Sequence, residues 1–429
     1  MQQSKKSINP WKWVPTLYFA QGIPYVIVMT VSVIMYKRFG ISNTDIALYT
    51  SWLYLPWVIK PFWSPLVDLF KTKRWWIVSM QLLIGAGLAG VALLIPMPFY
   101  FQATLLVFWL MAFSSATHDV AADGFYMLAL DEGQQSVFVG IRSLFYRFAM
   151  IAGQGVLIVF AGAMERITGN IRLSWSITFF VIFGIFLLLM MYHRLALPKP
   201  ASDKLMGKVD NNKMSKEFGV TFLSFFRKKG IVLSLVFLLV YRLGEAMLVK
   251  LAQPFMLDPV SEGGLGLSTE QIGLAYGMVG VAALVVGGIL GGLAISWKGL
   301  KFWMIPMALS ITLPNLAYVY MAVLQPASYS VVLVCVAIEQ FGYGFGFAAF
   351  LMYMIFMSDG EHKTAHYAFA SGFMALGMML PGMIAGWLQE QVGYQWFFII
   401  IVVLAIPTIL VASFMKIDPA FGRKKEKIE

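Results

Sequence analysis

The stretch Ser64-Pro-Leu-Val-Asp68-Leu-Phe-Lys71-Thr-Lys73-Arg74 closes one long apolar run, and Gly291-Gly-Leu-Ala-Ile295-Ser-Trp-Lys298-Gly-Leu-Lys301 closes another. Aligned on Leu66 and Leu293, the two bring Lys71 onto Lys298 and Arg74 onto Lys301, while Asp68 meets Ile295. A short basic loop recurring at equivalent places signals duplicated halves. Residues 197–230 lie between them as the one long polar connection, with Pro198, Pro200, Asn211, Asn212 and a closing Arg227-Lys-Lys229. They divide the chain into an N-terminal helix bundle, 1–196, and a C-terminal one, 231–429.

Composition fixes the solvent. Hydrophobic residues make up 59% of the 429 and charged residues 12%, against roughly 45 to 50% and about 25% in soluble domains. A water-soluble globule is excluded. The single cysteine, Cys335, rules out an internal disulfide, and with no Cys/His cluster at ligand spacing neither a metal nor a cofactor is expected. The net charge of +11 sits in short segments between greasy stretches, so a membrane surface accounts for it better than nucleic acid.

A hydrocarbon core about 30 Å thick needs roughly 20 apolar residues per helix. Twelve runs qualify: 14–36, 46–69, 76–96, 101–130, 138–164, 174–195, 231–256, 270–295, 301–322, 330–357, 365–389 and 395–415. The fold class is therefore an all-α membrane protein of twelve transmembrane helices in two six-helix bundles. The first run follows Lys5, Lys6 and Lys12 but lacks a small-residue cleavage site, so it is expected to stay as a helix. An even count puts both termini on one side. That side also carries Lys71, Lys73, Arg74, the basic run before 231, Lys298, Lys301, Lys363 and the Lys416–Lys427 tail, against Lys37, Arg38, Arg166 and Arg172 opposite. The excess marks both termini as cytoplasmic.

The Ser64–Arg74 segment resembles the G-x-L-x-D-x-x-x-x-K/R-R loop of the major facilitator superfamily, with Ser64 in place of the usual glycine. That resemblance implies two six-helix bundles rocking about a central cavity. Asp68 beside Lys71 and Arg74 reads as a cytoplasmic gate, a charge-assisted latch; the basic loop by itself also reads as the topology signal.

Ionisable residues inside spans cost roughly 2.5 to 3.5 kcal/mol each at mid-bilayer, so those present are functional candidates. Asp119, Asp123, Glu245 and Glu339 fall on the fourth, seventh and tenth spans, which line the cavity in the resembled fold. All four are candidates for proton coupling. Asp119 and Asp123 share a helix face; His118 points about 100° away, toward substrate or toward a neighbouring helix. On the fifth span Tyr146, Arg147 and Gln154 suit an anionic group, though Arg147 equally suits a pair with Asp119 or Asp123. Arg142 lies on the same span. Arg242 and Glu245, three residues apart, form either a fixed internal pair or a switchable one, and Lys250 serves either as a cation for substrate or as a snorkelling end residue. Gln21, Tyr25, Gln340 and Tyr343 add neutral partners for sugars and peptides. The glycines of Phe341-Gly-Tyr-Gly-Phe-Gly-Phe are expected to permit close helix packing. His366 is open between a proton-linked and a surface role.

A narrower resemblance follows. Tyr18-Phe-Ala-Gln-Gly-Ile-Pro24, Lys60 to Asp68, Ser114-Ser-Ala-Thr-His-Asp-Val-Ala-Ala-Asp123, Tyr146-Arg147, Tyr241 to Glu245, Ile338 to Gly342 and Ala365 to Ala368 are similar to the AmpG-type muropeptide permeases. This implies a monomeric importer in the bacterial inner membrane. It would use protons to bring in anhydromuropeptides released by cell-wall turnover. Two departures bear on cargo: His118 stands where the family usually has Gln, and Gly124-Phe-Tyr-Met-Leu128 replaces a polar continuation. Related transporters carry acetyl-coenzyme A, and a siderophore or other large anion stands as the alternative cargo. A membrane-embedded transferase using His118 and Asp119 is the remaining class, disfavoured because no extended aqueous loop is present to hold a donor; an enzyme is not expected.

Overall fold

The computed structural model describes residues 9–203 and 211–424, without the side chains of Pro65, Leu66, Asp68, Leu69, Glu132 and 211–218. The described chain is helical throughout. In order come α1 (Pro10–Arg38), α2 (Asn43–Trp52), α3 (Leu55–Phe70), α4 (Lys73–Leu94), α5 (Tyr100–Ala129), α6 (Gly133–Thr168), α7 (Ile171–Ala196), α8 (Asn211–Phe226), α9 (Ile231–Val240) and α10 (Leu243–Leu257). Then follow α11 (Thr269–Lys298), α12 (Leu300–Leu324), α13 (Tyr329–Ser358), α14 (Lys363–Val403) and α15 (Ala405–Ser413).

Local chemistry sets the ends. Ser42 accepts from the amide of Asp45, Asn170 from that of Leu173, and Asp131 forms a reciprocal box with Gln134, each satisfying amides that a helix start leaves open. At about 1.5 Å per residue the Lys363–Ser413 stretch of 51 residues would be more than twice the hydrocarbon thickness. Gly393, at φ 75° and ψ 168°, breaks it. The exposed faces are greasy: α5 turns Leu106 and Leu110 outward at 64% and 62% exposure while burying Thr104, Phe108 and Met111. Such a face is stable in lipid, not in water. Ten stretches among the described residues are long and apolar enough to cross a membrane, so the chain is a multi-pass membrane protein.

The chain forms two compact units. Unit 1 runs to Met35 and resumes at Phe62 as far as the polar connection; unit 2 holds Tyr36–Pro61 and everything after that connection. In unit 1 the core is built on Trp13, Leu17, Ile77, Phe125 and Leu130, with Trp13 edge-on to Phe125 at 5.3 Å. In unit 2 it is built on Phe237, Tyr241, Phe350 and Tyr353, whose rings lie 4.5 to 5.8 Å apart. Within unit 2 the glycines of α13 let backbones touch. A Cβ at Gly344 would stand 2.1 Å from the carbonyl of Leu284, and the residues between them leave no slack.

The connection expected to be polar carries the helix α8. Phe222, Phe225 and Phe226 share one face of it and pack on Phe369 and Phe373, with Phe225 fully buried. Spacing of three and four residues, hidden in a charged run, is the cause. His366 of α14 meets this helix too, its Nε2 2.9 Å from Ser224 Oγ.

Candidate functional site: two ionisable clusters

In unit 1 the cluster is organised by Arg142. Its Nη1 donates to Tyr18 Oη at 3.1 Å and stands 3.5 Å from Asp123 Oδ1, and the Tyr18 hydroxyl donates to that same oxygen at 3.1 Å. The guanidinium also lies over the rings of Tyr18 and Tyr126, at 5.0 and 5.2 Å. A cation held by π faces and a carboxylate is fixed yet only part-buried. Arg147, by contrast, donates to Met150 Sδ at 3.5 Å. Tyr146 lies close enough to Tyr25, Asp119 and Arg147 to feel their charges. Gln21 is buried with its Oε1 lacking a hydrogen-bond partner among the described residues, and Gln154 sits buried in a π-helical turn, Ile151–Val156. Such turns aim side chains off the regular helix spacing.

His118 faces a neighbouring helix. Gln81 Nε2 is 3.0 Å from His118 Nε2, Gln81 Oε1 is 3.0 Å from His193 Nδ1, and His193 Nε2 is 3.0 Å from Thr16 Oγ1. Gln81, His118 and His193 are buried, and the chain of contacts ties α1, α4, α5 and α7 together. It accounts for His118 by hydrogen bonding inside the unit.

Of the expected cytoplasmic gate, Asp68 lies outside the described side chains. Lys71 stands over the Trp75 ring at 5.9 Å, while Arg74 donates to the carbonyls of Leu197, at 3.3 Å, and Arg194. Asp203 completes this corner: its two carboxylate oxygens accept from the amides of Lys73 and Arg74 at 2.7 and 3.0 Å, capping α4. Asp203→Ala should lower stability by about 1 kcal/mol, read as a fall in the thermal midpoint of the purified protein; an unchanged midpoint would show the cap to be dispensable.

In unit 2 the seventh span breaks at its charged residue. Tyr241 keeps helical dihedrals and its bond to the Phe237 carbonyl, and Arg242 alone leaves helical geometry between α9 and α10, at φ −113° and ψ 20°. The freed guanidinium donates to Tyr343 Oη and stacks over Phe347 at 4.6 Å and Tyr343 at 5.2 Å, leaving its Nε unpartnered among the described residues. Glu245 is 3% exposed, and neither carboxylate oxygen has a hydrogen-bond partner among the described residues. No fixed hydrogen-bonded pair joins it to Arg242. Glu339 is buried nearby, within range of the Glu245 charge, and accepts from Gln340 Nε2 at 3.0 Å on each oxygen; Gln340 also reaches Tyr276 Oη at 3.0 Å. Two buried carboxylates beside one stacked cation are electrostatically unbalanced whenever both ionise. Lys250 does not snorkel: it is 2% exposed, donates to Thr50 Oγ1 at 3.0 Å and stands 5.2 Å over Tyr54.

At the end of unit 2 that carries Lys37, a ring of buried polar groups closes on itself. Lys37 Nζ pairs with Asp258 at 2.6 Å and donates to Asn43 Oδ1 at 2.9 Å. Asn43 Nδ2 donates to Tyr394 Oη at 2.8 Å and to Gln389 at 2.7 Å, and the Tyr394 hydroxyl donates to Asp258 at 2.6 Å. Beside it Thr44 makes two bonds to the Glu390 carboxylate, at 3.0 and 2.6 Å. Helix α14 comes so near that a Cβ at Gly386 would fall 1.9 Å from the Asn43 carbonyl. Reading along the sequence missed this ring, as well as Arg142 with Tyr18 and Gln81 with His193, because the partners that tie them together are separated by 112 to 351 residues. Among the described residues no group of His, Cys, Asp and Glu is placed to hold a metal.

The model of the family described as Major Facilitator Superfamily matches residues 16–360 and 265–429. The chain belongs to the major facilitator superfamily. This major facilitator transporter is 27% identical over 415 residues to the AmpG 4 protein of Rickettsia conorii, covering 93% of this chain and 94% of that one. It is 23% identical over 407 residues to the anhydromuropeptide permease of Escherichia coli K12, with 92% and 77% covered. Its fold is that of the crystal structure of the nucleoside transporter NupG, at a TM-score of 0.70 and 15% identity over 93% of this chain and 96% of that one. The candidate residues lie on helices where charges would be costly in plain hydrocarbon.

Proposed function

We propose that this transporter imports anhydromuropeptides across the bacterial inner membrane by alternating access, coupled to protons, with twelve spans and both termini cytoplasmic. The count takes the ten long stretches, adds α2 with α3 as one further span, and counts the stretch broken at Gly393 as two. The two basic loops argue for the cytoplasmic end. The cargo reading rests on likeness to the E. coli permease over nearly the whole chain.

One observation carries the coupling: Glu245 is buried with both oxygens unpartnered, beside a cation whose own Nε is unpartnered. A carboxyl in that state is cheap to bury when protonated and costly when ionised. It therefore takes a proton when its surroundings close and releases it when water or a better cation contact arrives. Glu339 and the Asp123–Arg142–Tyr18 group are further candidate loading points. In this scheme Arg142, Arg147, Arg242 and Lys250 serve the lactyl and peptide carboxylates, while Gln21, Tyr25, Tyr146, Gln154, Gln340 and Tyr343 serve sugar and amide groups. The Lys37–Asn43–Tyr394–Asp258 ring is the latch of the periplasmic end, and Asp68 with Lys71 and Arg74 that of the cytoplasmic end. The cations Arg142, Arg147, Arg242 and Lys250 would equally serve a second reading, a different large anion.

Uptake of radiolabelled anhydromuropeptide into proteoliposomes with an imposed inward pH gradient tests the scheme. Expected is gradient-driven accumulation that falls at least tenfold in Glu245→Gln and Asp123→Asn. Uptake indifferent to the gradient removes proton coupling; accumulation of acetyl-coenzyme A or a siderophore in place of the muropeptide selects the other cargo.

A further inference from the structure

Unit 2 holds a cavity of about 760 Å³ away from every group used above, within the roughly 300 to 1,000 Å³ of small-molecule sites. Its rim is Lys228, Lys229 and Lys416, and its interior includes Leu233, Phe356 and Met415. Three apolar stretches end here together: one begins at Ile231, one ends at Ser358 and one ends at Ser413. The cavity thus straddles the line where hydrocarbon gives way to headgroups, with ammonium groups on the wet side and aliphatic and aromatic groups on the dry side.

We propose that this cavity binds an anionic phospholipid of the leaflet facing the basic loops, phosphate on the lysines and acyl chain along Leu233, Phe356 and Met415. Charge complementarity selects the headgroup, since a basic pocket among helices at this depth attracts anionic lipids at about 1 kcal/mol per lysine. Lys228 is held in place as a donor: its Nζ bonds the carbonyls of Met357 and Asp359 at 2.6 and 2.7 Å, leaving its third hydrogen for a ligand. Asp359, the acid on the rim, stands 3.5 Å from Lys363 and is offset by it. Burial holds the Lys228 ammonium below the usual lysine range, with Asp359 opposing, and a phosphate beside it would add to that opposition. Deeper in, Ser234 Oγ and Tyr353 Oη, 2.7 Å apart, offer hydroxyls at the depth of a glycerol ester. A soluble anion would use the lysines but leave the apolar wall uncovered. The wall is what points to a lipid.

Native mass spectrometry of the full-length protein, with phosphatidylglycerol, phosphatidylcholine or inorganic phosphate added, decides the matter. Expected is retention of phosphatidylglycerol over phosphatidylcholine, reduced roughly thirtyfold in apparent affinity by Lys229→Ala with Lys416→Ala and unchanged by Lys301→Ala. Leu233→Trp, which fills the dry side without altering charge, should reduce retention as well and guards against misfolding of the double variant. Equal retention of phosphatidylcholine overturns the proposal, as does an unaffected double variant. Displacement of the lipid by millimolar inorganic phosphate overturns it in favour of a soluble-anion site. None of these outcomes depends on the cargo or on proton coupling.

Discussion

Lys37→Met is expected to unfasten the end of unit 2 that the ring closes. The substitution leaves Asp258, 6% exposed, as a buried carboxylate with only the Tyr394 hydroxyl to balance it. Stranding one member of a buried ion pair costs about 3 to 5 kcal/mol, enough to move a two-state equilibrium by roughly two to nearly four orders of magnitude. The consequence is read by labelling. In a Cys335→Ser background, Thr44→Cys lies beside the Glu390 contact, and its reaction with a membrane-impermeant maleimide should rise at least tenfold when Lys37→Met is added. Asp258→Asn with Lys37→Met removes both charges and should restore much of the protection, because an uncharged ring loses less than a half-charged one. Labelling that ignores Lys37 would show the ring to be ornamental to closure. Gly386→Ala provides a steric counterpart through the 1.9 Å approach to Asn43.

The second large effect belongs to Arg242. Arg242→Gln takes away the cation stacked on Tyr343 and Phe347 and leaves ionised Glu245 without a compensating charge. Uptake in proteoliposomes should fall a hundredfold or more, and the yield of folded protein should fall with it. Adding Glu245→Gln removes the stranded acid, so folded yield should recover while uptake does not. Arg242→Lys should resemble Arg242→Gln in uptake, since an ammonium lacks the planar face that lies on the rings. Recovery of transport in the double variant would mean that the pair is structural alone.

Much of this was legible along the chain. Runs of apolar residues near twenty in length and the basic loops follow from hydrocarbon thickness and charge cost, which act on local sequence. The acids at 119, 123, 245 and 339 were likewise visible, because an ionisable residue within an apolar run is conspicuous without any fold. Less visible was α8: its three phenylalanines sit in a charged run and gain meaning only against Phe369 and Phe373.

Pairing was not legible. Arg142 and Arg147 stand five residues apart on the same span, and sequence gave no ground to prefer the one that the Tyr18 ring and Asp123 hold. Sequence leaves His118 open between substrate and a neighbouring helix, and its contact with Gln81 is a feature of the folded unit alone. Asp203 sat in a connection and caps a helix that starts 130 residues before it.

What the amino-acid order determined by itself is where the chain can lie in lipid, since each residue's transfer cost is a local property that sums along a helix. Which charge meets which was decided only by the tertiary structure. A hydrogen bond or ion pair is made across a few ångströms of space, and the residues that share those few ångströms here, Lys37 with Asp258 or Asn43 with Tyr394, are hundreds of residues apart in the order that wrote them.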